Sequence, residues 1–412
     1  MAAGKTVAAT DISDGTIRKI RNRLIPLLFL LYLVAVLDRT NIGFAALTMN
    51  ADLRITGAQY GLLTGIFFWG YCLFEVPSNL LMRKIDARTW IARILLSWGI
   101  VAVLSGFVRN STQLYAARFL LGIAEAGYAP GILLYLTFWF RRREQAQMIG
   151  LFLTAIPVAN ILGSPLSGWI LDHVHWLSLA SWRWLLVLEG LPAILGGAAA
   201  YLLLPSRPAD AAFLTAPEKD WIIAALATEE CQKSNKKQLS AGQALANGRV
   251  WHLAFISFAF QTGGYAVVYW MPRAVKSLAD YSNTVVGLLV MIPYVAGLIA
   301  MILVSRSSDR KMERRYHAAM PLVVGGVALL LLGGTHSLRL SFPLWCFAVV
   351  ATAFQGPFFS LPNDFLAGSG AAAGIALINC IGSLGGFVGP SIVGVAASGA
   401  GGIYRRWRNT DF

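Results

Sequence analysis

Four ionisable residues lie inside long apolar segments of this 412-residue chain. Asp38 and Arg39 are adjacent in one segment, and Arg118 and Glu125 are seven residues apart in another. A charge near the centre of a bilayer costs about 3 kcal/mol or more, so such residues normally face a bundle interior or a water-filled cavity. Two cations and two carboxylates there predict a site that binds an anion and moves a proton.

The residue types fit that chemistry. An arginine suits a carboxylate ligand because its planar guanidinium donates two parallel hydrogen bonds. A low-dielectric cavity favours the neutral form of an acid, so Asp38 and Glu125 are predicted to load and release protons. Arg118 and Glu125 lie two helical turns apart, about 10 Å along nearly one face. They could pair with each other or with the two charged residues of a facing helix. A structural ion pair is the alternative, although four ionisable groups exceed what helix packing requires.

Composition predicts that membrane-spanning helices position these residues. The chain is 57% hydrophobic and only 13% charged, and its mean hydropathy is +0.61. That is far from the composition of a soluble globular protein. A helical span takes roughly 20 apolar residues. We identify eleven candidate spans, at about 24–48, 58–82, 90–108, 113–138, 147–171, 183–204, 250–271, 284–305, 317–335, 342–362 and 372–397. The predicted fold is an all-α polytopic membrane protein.

The distribution of basic residues indicates topology. If the N-terminus is cytoplasmic, the inner segments hold 23 of the 34 Lys and Arg residues, and the outer loops, which include Arg273, hold six. This alternation is the positive-inside pattern. The net charge of +14 is therefore interpreted as a membrane signal, with no nucleic-acid partner.

Metal and disulfide chemistry are not predicted. The four cysteines have no CxxC spacing, and His173 and His175 have no further ligands near them in sequence. We expect no metal site and no cofactor.

The chain divides into two similar parts. A polar stretch follows six candidate spans, with a short amphipathic helix predicted near 217–230, so we assign 1–204 to an N-terminal bundle, 205–249 to a cytoplasmic linker and 250–412 to a C-terminal bundle with a basic tail. Corresponding inner turns carry two arginines at the same spacing, Arg83 with Arg88 and Arg310 with Arg315. Parallel repeats are one common construction of transporters, although any short inner loop is rich in arginine.

Several motifs together resemble one family. They are LDRTNIG at 37–43, GYCLFEVPSN at 70–79, RFLLGIAEAG at 118–127, SDR at 308–310, GIALIN at 374–379 and GGFVGP at 385–390. These runs are similar to the major facilitator superfamily and, within it, to the anion:cation symporter family of organic-anion transporters. The resemblance extends from about residue 20 to residue 394.

The resemblance implies two six-helix bundles and proton-coupled import of a small organic anion by alternating access. The anion would be a sugar acid, a tartrate-like diacid or an aromatic carboxylate. It implies a monomer in the bacterial inner membrane, with Asp38 and Glu125 as the proton-coupling acids and Arg39 and Arg118 as the carboxylate ligands.

Other residues are assigned from the same motifs and from mid-span polarity. Further substrate-binding candidates are Tyr71, Asn379, Gln261 and Tyr265. Gating candidates are Asp309, Arg310, Arg83, Arg88 and Glu75. Glu189 follows a Trp-Arg-Trp sequence and is interpreted as structural.

Two departures from the family pattern affect the prediction. Met82 stands where the superfamily often has Asp, and no twelfth apolar run follows Gly394, so eleven spans are visible and the last helix is expected to be missing. The alternatives are an efflux antiporter of aromatic acids or drugs, or an inactive truncated transporter. A membrane enzyme is not expected, because no span carries a His/Asp/Glu or Ser/His cluster suited to hydrolysis.

Overall fold

The computed structural model describes residues 2–234, 241–278, 280–335, 337–364 and 368–399, and the regular structure in these ranges is helical. The α-helices are α1 (Ala2–Asp52), α2 (Gly57–Lys84), α3 (Ala87–Ser105), α4 (Ser111–Glu125), α5 (Tyr128–Thr137), α6 (Arg142–Leu153), α7 (Ala155–His173), α8 (Ser181–Leu203), α9 (Ala216–Ser234), α10 (Ala241–Leu245), α11 (Gly248–Leu278), α12 (Asn283–Lys311), α13 (Arg315–Leu332), α14 (Leu338–Val350), α15 (Gln355–Ser360) and α16 (Gly368–Gly399). We call α1–α8 the N-terminal half and α11–α16 the C-terminal half.

The predicted spans coincide with helices. Within the described ranges, nine helical segments are long and apolar enough to cross a membrane. The remaining two predicted spans correspond to α2 and α11, which are 28 and 31 residues long. The all-α polytopic prediction is therefore confirmed. The predicted domain boundaries stay a prediction, although α8 ends at Leu203 and α11 begins at Gly248.

The fourth span is broken, which the sequence analysis did not predict. Asn110 caps the start of α4 by accepting a hydrogen bond from the backbone N–H of Gln113 (2.9 Å). The helix then stops at Glu125. Gly127 follows with φ of 83°, a left-handed conformation that glycine adopts without steric cost, and α5 begins at Tyr128. Glu125 therefore lies at a helix end inside the bundle.

Glycines allow helices to approach closely within each half. In membranes, small residues at helix interfaces let backbones pack directly and stabilise association. In the N-terminal half, a Cβ at Gly99 of α3 would overlap Ile194 of α8, and a Cβ at Gly122 of α4 would overlap the carbonyl oxygen of Phe67 in α2. In the C-terminal half, α16 packs against α11 in the same manner.

The two halves make several close backbone contacts on one side of the molecule. We call this the distal side, the side at which α1 ends and α2 begins. There a Cβ at Gly61 of α2 would overlap the backbone of Pro390 in α16, and one at Gly168 of α7 would overlap that of Asn283 in α12. The Tyr60 hydroxyl donates to the carbonyl of Tyr269 in α11 (2.9 Å). These contacts close the distal side between the halves.

Asp172 adds a polar contact across this distal interface. Its carboxylate, near the end of α7, accepts hydrogen bonds from the backbone N–H and the hydroxyl of Thr284 (2.6 and 2.7 Å) and from the amide of Asn283 (2.8 Å). Both partners lie in the first turn of α12. An anion is stabilised at a helix N-terminus by the unsatisfied N–H groups and the helix dipole. The N-terminal half therefore caps a helix of the C-terminal half.

The linker helices attach to different halves. The helix predicted near 217–230 is present as α9, and Glu218 in it accepts a hydrogen bond from the ammonium group of Lys19 in α1 (2.6 Å). Glu229 accepts one from the backbone N–H of Arg142 in α6 (3.1 Å). The short helix α10 instead packs against α16.

The close approach of α2 and α4 gives a testable prediction. Gly122→Ala would force the two backbones apart, and overpacking of this kind costs about 1–3 kcal/mol. We expect a lower melting temperature in detergent, measured by thermal unfolding of the purified protein.

Gly326→Ala in α13 is the matched control, because a Cβ there meets no atom within 4 Å. It should leave stability unchanged or raise it by about 0.5–1 kcal/mol, since alanine favours helix over glycine. Equal melting temperatures for the two variants would contradict the packing argument.

Candidate functional site

An ion pair joins α1 to α4 in the middle of the bundle. The Arg39 Nη2 donates to Oε1 of Glu125, and the two side chains are 16% and 0% exposed. The Nη1 of Arg39 lies 3.4 Å from the hydroxyl of Tyr265, on α11 of the other half. Of the pairings that the sequence left open, the structure contains Arg39 with Glu125.

Arg118 has unused hydrogen-bonding capacity. It is 2% exposed, and its Nε and Nη2 are buried without a hydrogen-bond partner. Its guanidinium lies 5.1 Å from the ring centroid of Phe67, within the range of a cation–π contact. A buried donor without a partner costs free energy, and a charged one costs more. The Nε and Nη2 of Arg118 can therefore donate hydrogen bonds to an anion that enters the bundle.

Aromatic rings lie close to the two arginines. The Phe67 ring lies 5.4 Å from the guanidinium of Arg39 as well as near Arg118, and the Tyr71 ring lies 5.3 Å from that of Arg39. Tyr265 packs edge-on against Phe68 with ring centroids 4.5 Å apart. Of the predicted substrate-binding residues, Tyr71 and Tyr265 thus surround the ion pair.

Asp38 points away from Arg39 into the interior of the N-terminal half. Its Oδ2 accepts a hydrogen bond from the indole N–H of Trp98 (2.6 Å), and its Oδ1 accepts one from the amide of Asn41 (3.3 Å). The two predicted proton-coupling acids therefore lie in different surroundings. Trp98, fully buried in α3, was not identified from the sequence.

Two predicted residues bind each other across the halves. The amide of Asn379 in α16 donates to Oε1 of Glu75 in α2 (2.7 Å). Cys72 lies about one helical turn before Glu75 in α2, and its thiol is 3.7 Å from the carbonyl oxygen of Cys380 in α16. Asn379, predicted to bind substrate, is thus engaged by Glu75, predicted to act in gating. Gln261 is half-buried in α11 beside α16.

The predicted gating arginines lie at the side opposite the distal contacts. Arg88 is 3.8 Å from Asp86 and its guanidinium is 5.1 Å from the ring centroid of Tyr201. Arg310 is exposed in the last turn of α12. The side chains of Arg83 and Asp309 lie outside the described part of the structure.

Arg273 corrects the sequence assignment. It was placed in an outer loop, but α11 continues through Pro272 to Leu278 and includes it. Its guanidinium lies 5.0 Å from the ring centroid of Trp270 and 5.4 Å from that of Tyr60, and its Nη1 is buried without a partner. The only sequence signal was the spacing of Trp270 and Arg273, three residues apart on one helical face.

Metal binding finds no support among the described residues, where no group of three or more His, Cys, Asp or Glu side chains could hold an ion.

Comparisons with known proteins agree with this architecture. The sequence profile of the Major Facilitator Superfamily matches residues 28–390. A protein of Agrobacterium vitis named as a tartrate transporter is 42% identical over 400 residues, covering 96% of this chain and 92% of the relative. A protein of Pseudomonas putida named as metabolite transport protein NicT is 39% identical over 400 residues, covering 95% and 91%.

A solved structure shares the fold. The crystal structure of a bacterial homologue of the human lysosomal transporter Spinster superposes with a TM-score of 0.74, at 20% identity, over 94% of this chain and 85% of that one. The family profile and the transporter relatives confirm, at the level of the superfamily, the resemblance seen in the sequence, and they indicate a transporter, as expected, and not an enzyme. The chain belongs to the Major Facilitator Superfamily and is a multi-pass membrane transporter of small organic solutes.

Proposed function

We propose that this transporter imports a small organic anion together with protons by alternating access. The observation that carries the proposal is Arg118, a buried cation with two unpartnered nitrogens beside the ion pair of Arg39 and Glu125. A carboxylate is the ligand that such a cation binds most directly. The relatives named for tartrate and metabolite transport support the same class. Within it we propose a sugar acid, a tartrate-like diacid or an aromatic carboxylate.

The ion pair provides a physical coupling between proton and substrate. While Glu125 is ionised, it neutralises Arg39, and of these two arginines Arg118 alone is free to bind an anion. A proton on Glu125 would release Arg39, so that both arginines attract the substrate carboxylate. Protonation and anion binding then favour each other, and the coupling is reciprocal by linkage. Co-loading of the two is the requirement for symport.

The remaining site residues fit around this centre. Tyr71 and Tyr265, together with Gln261 and Asn379, would supply aromatic and polar contacts for the body of the substrate. The hydrogen bond between Asn379 and Glu75 would break when the two halves move, which gives Glu75 a gating role. The predicted loop residues Arg83, Arg88, Asp309 and Arg310 would act on the side opposite the distal contacts.

The orientation follows from charge. We propose that the N-terminus and the linker are cytoplasmic in the bacterial inner membrane, because basic residues concentrate on that side. The distal side would then face outward, and the structure would have its outer entrance closed. We further propose that the protein acts as a monomer with the domain boundaries given above.

Uptake into proteoliposomes tests the proposal. Purified protein is reconstituted, a pH gradient that is acidic outside is imposed, and labelled tartrate, a labelled sugar acid and a labelled aromatic carboxylate are offered separately. We expect accumulation of at least one of them that collapses when a protonophore is added. Uptake that is indifferent to the protonophore would contradict proton coupling, and net movement outward with the opposite dependence would favour the efflux alternative.

Replacing Glu125 separates coupling from binding. Glu125→Gln imitates the protonated acid permanently, so gradient-driven uptake should be lost while exchange of substrate against substrate is retained. Both rates are measured in the same proteoliposomes. Glu218→Gln, in the linker helix, is the control and should keep gradient-driven uptake. A Glu125→Gln protein with the wild-type gradient-driven rate would remove this residue from the coupling mechanism.

The two arginines should differ in their tolerance of lysine. Arg118→Lys keeps the charge but loses the two-point grip on a carboxylate. The loss of one charge-assisted hydrogen bond is about 1.5–3 kcal/mol, so we expect roughly 10-fold to 100-fold weaker binding by calorimetry. Arg39→Lys should be milder, since Arg39 contacts Glu125 through one nitrogen. Unchanged substrate affinity in Arg118→Lys would refute the bidentate interpretation.

Alternating access requires the distal contacts to break. Asp172→Asn weakens the cap on α12 by removing the anion from a helix N-terminus, worth about 1 kcal/mol. We expect a larger population with the distal side open, seen as longer distances between spin labels at Leu177 and Tyr281 by pulsed electron resonance.

Asp52→Asn is the matched control on the same side. Asp52 accepts a hydrogen bond from the indole of Trp182 (2.9 Å), which belongs to the same half. This variant should leave the distance distribution unchanged. A shift in the control equal to that of Asp172→Asn would mean that the effect is not specific to the contact between halves.

A further inference from the structure

Glu189 forms a polar cluster with Asp38 inside the N-terminal half. Glu189 lies in α8 and is 4% exposed, while Asp38 lies in α1 and is 2% exposed. Asn41 in α1 hydrogen-bonds to Asp38 and contacts Glu189 as well. Ser167 in α7 donates to Oε1 of Glu189 (2.8 Å). The sequence analysis interpreted Glu189 as structural, and its position beside Asp38 gives a reason to revise that interpretation.

The cluster contains more hydrogen-bond acceptors than donors. Both oxygens of Asp38 accept N–H bonds, from Trp98 and from Asn41. The Oε2 of Glu189 and the Oδ1 of Asn41 are buried, and neither has a partner. Both of these atoms are acceptors when Glu189 is ionised. A hydroxyl on Glu189 is the donor that this group of acceptors needs, because buried polar groups are normally hydrogen-bonded.

The charges around the cluster also favour a single proton bound by the pair of carboxyl groups of Asp38 and Glu189. Asp38 feels the opposite charge of Arg118 and the like charge of Glu125 from α4, and Arg39 beside it is paired with Glu125. The charged group that acts on Glu189 is Asp38, and α3 and α7 contribute the uncharged donors Trp98 and Ser167 to the cluster. Two adjacent buried carboxylates repel each other strongly when both are ionised.

We infer that Asp38 and Glu189 form a carboxyl pair that holds one proton at rest, carried by Glu189, and that Glu189 is a further residue of the proton-coupling site. Glu189 acts through Asp38: as a neutral acid it spares Asp38 the repulsion of a second anion, and Asp38 can then take up and release its own proton. The second part of this inference rests on the proposed function, and the first part does not.

Infrared spectroscopy tests where the proton resides. The purified transporter at neutral pH should show the carbonyl stretching absorption of a protonated carboxylic acid that Glu189→Gln removes. Asp38→Asn should retain that absorption, because Asp38 is ionised at rest and burial still favours the neutral form of Glu189 once the neighbouring anion is gone. Loss of the absorption in Asp38→Asn alone would place the proton on Asp38. Loss of a separate part of the absorption in each variant would mean two protons. An unchanged spectrum in Glu189→Gln would mean an ionised Glu189, and each of these results would overturn the inference.

The pH dependence of transport distinguishes a functional from a structural role. Exchange of substrate against substrate should fall at alkaline pH in the wild type as Glu125 and the pair lose their protons. Glu189→Gln should make this alkaline fall less steep, since an amide replaces the protonated acid and one titrating group is removed. Glu189→Asp should retain the steepness of the wild type. Identical alkaline profiles for the wild type and Glu189→Gln would show that Glu189 only packs the bundle. Failure of the proposed function would appear separately, as absence of gradient-driven uptake in the wild type.

Discussion

The ion pair between Arg39 and Glu125 is the interaction on which the rest of the site depends. A low-dielectric interior makes an unpaired charge costly, and Glu125 pairs with Arg39, whereas the Nε and Nη2 of Arg118 have no partner. Of these two arginines, one therefore has a carboxylate partner and the other has none. This imbalance directs an incoming anion to Arg118, and it also makes the protonation of Glu125 consequential, because a proton there turns one unsatisfied cation into two.

The scaffold fixes this imbalance through close helix packing. Phe67 contacts both guanidinium groups, and its position depends on the approach of α2 to α4 that Gly122 allows. The same use of small residues closes the distal side between α2 and α16 and between α7 and α12. A membrane bundle gains little from the hydrophobic effect between helices, so shape complementarity at glycines holds the halves together and can be exchanged for another arrangement.

The sequence predicted the helices and the intramembrane charged residues, but it did not predict which of these charged residues form an ion pair. Apolar segments of about 20 residues and four intramembrane charges are visible in the chain because both are properties of composition and spacing. Adjacent residues on a helix point about 100° apart, so Asp38 and Arg39 cannot both face Glu125. Which of them does so depends on the rotation of α1 about its axis, and contacts remote in sequence, such as that between Asp38 and Trp98, set that rotation.

Other features depended on single residues whose effect is conformational. Gly127 ends α4 with a left-handed backbone, yet glycine is common throughout the apolar helices of this chain and gives no distinct signal. The seventh predicted span ends at about residue 271, just before Pro272, but α11 continues through Pro272 to Leu278 and includes Arg273. A membrane helix can include a proline where neighbouring helices satisfy the backbone groups that the proline frees, and those neighbours cannot be predicted from the local sequence.

The proximity of Cys72 and Cys380 has a practical consequence. The two cysteines belong to opposite halves and lie at the level of the contact between Glu75 and Asn379. A short thiol-reactive cross-linker should therefore join α2 to α16 in the arrangement described here and should fail to do so once these helices separate. Cys72 and Cys380 are native residues, so this reporter of conformational state needs no introduced cysteine. Cys231 and Cys346 are replaced first to prevent labelling elsewhere.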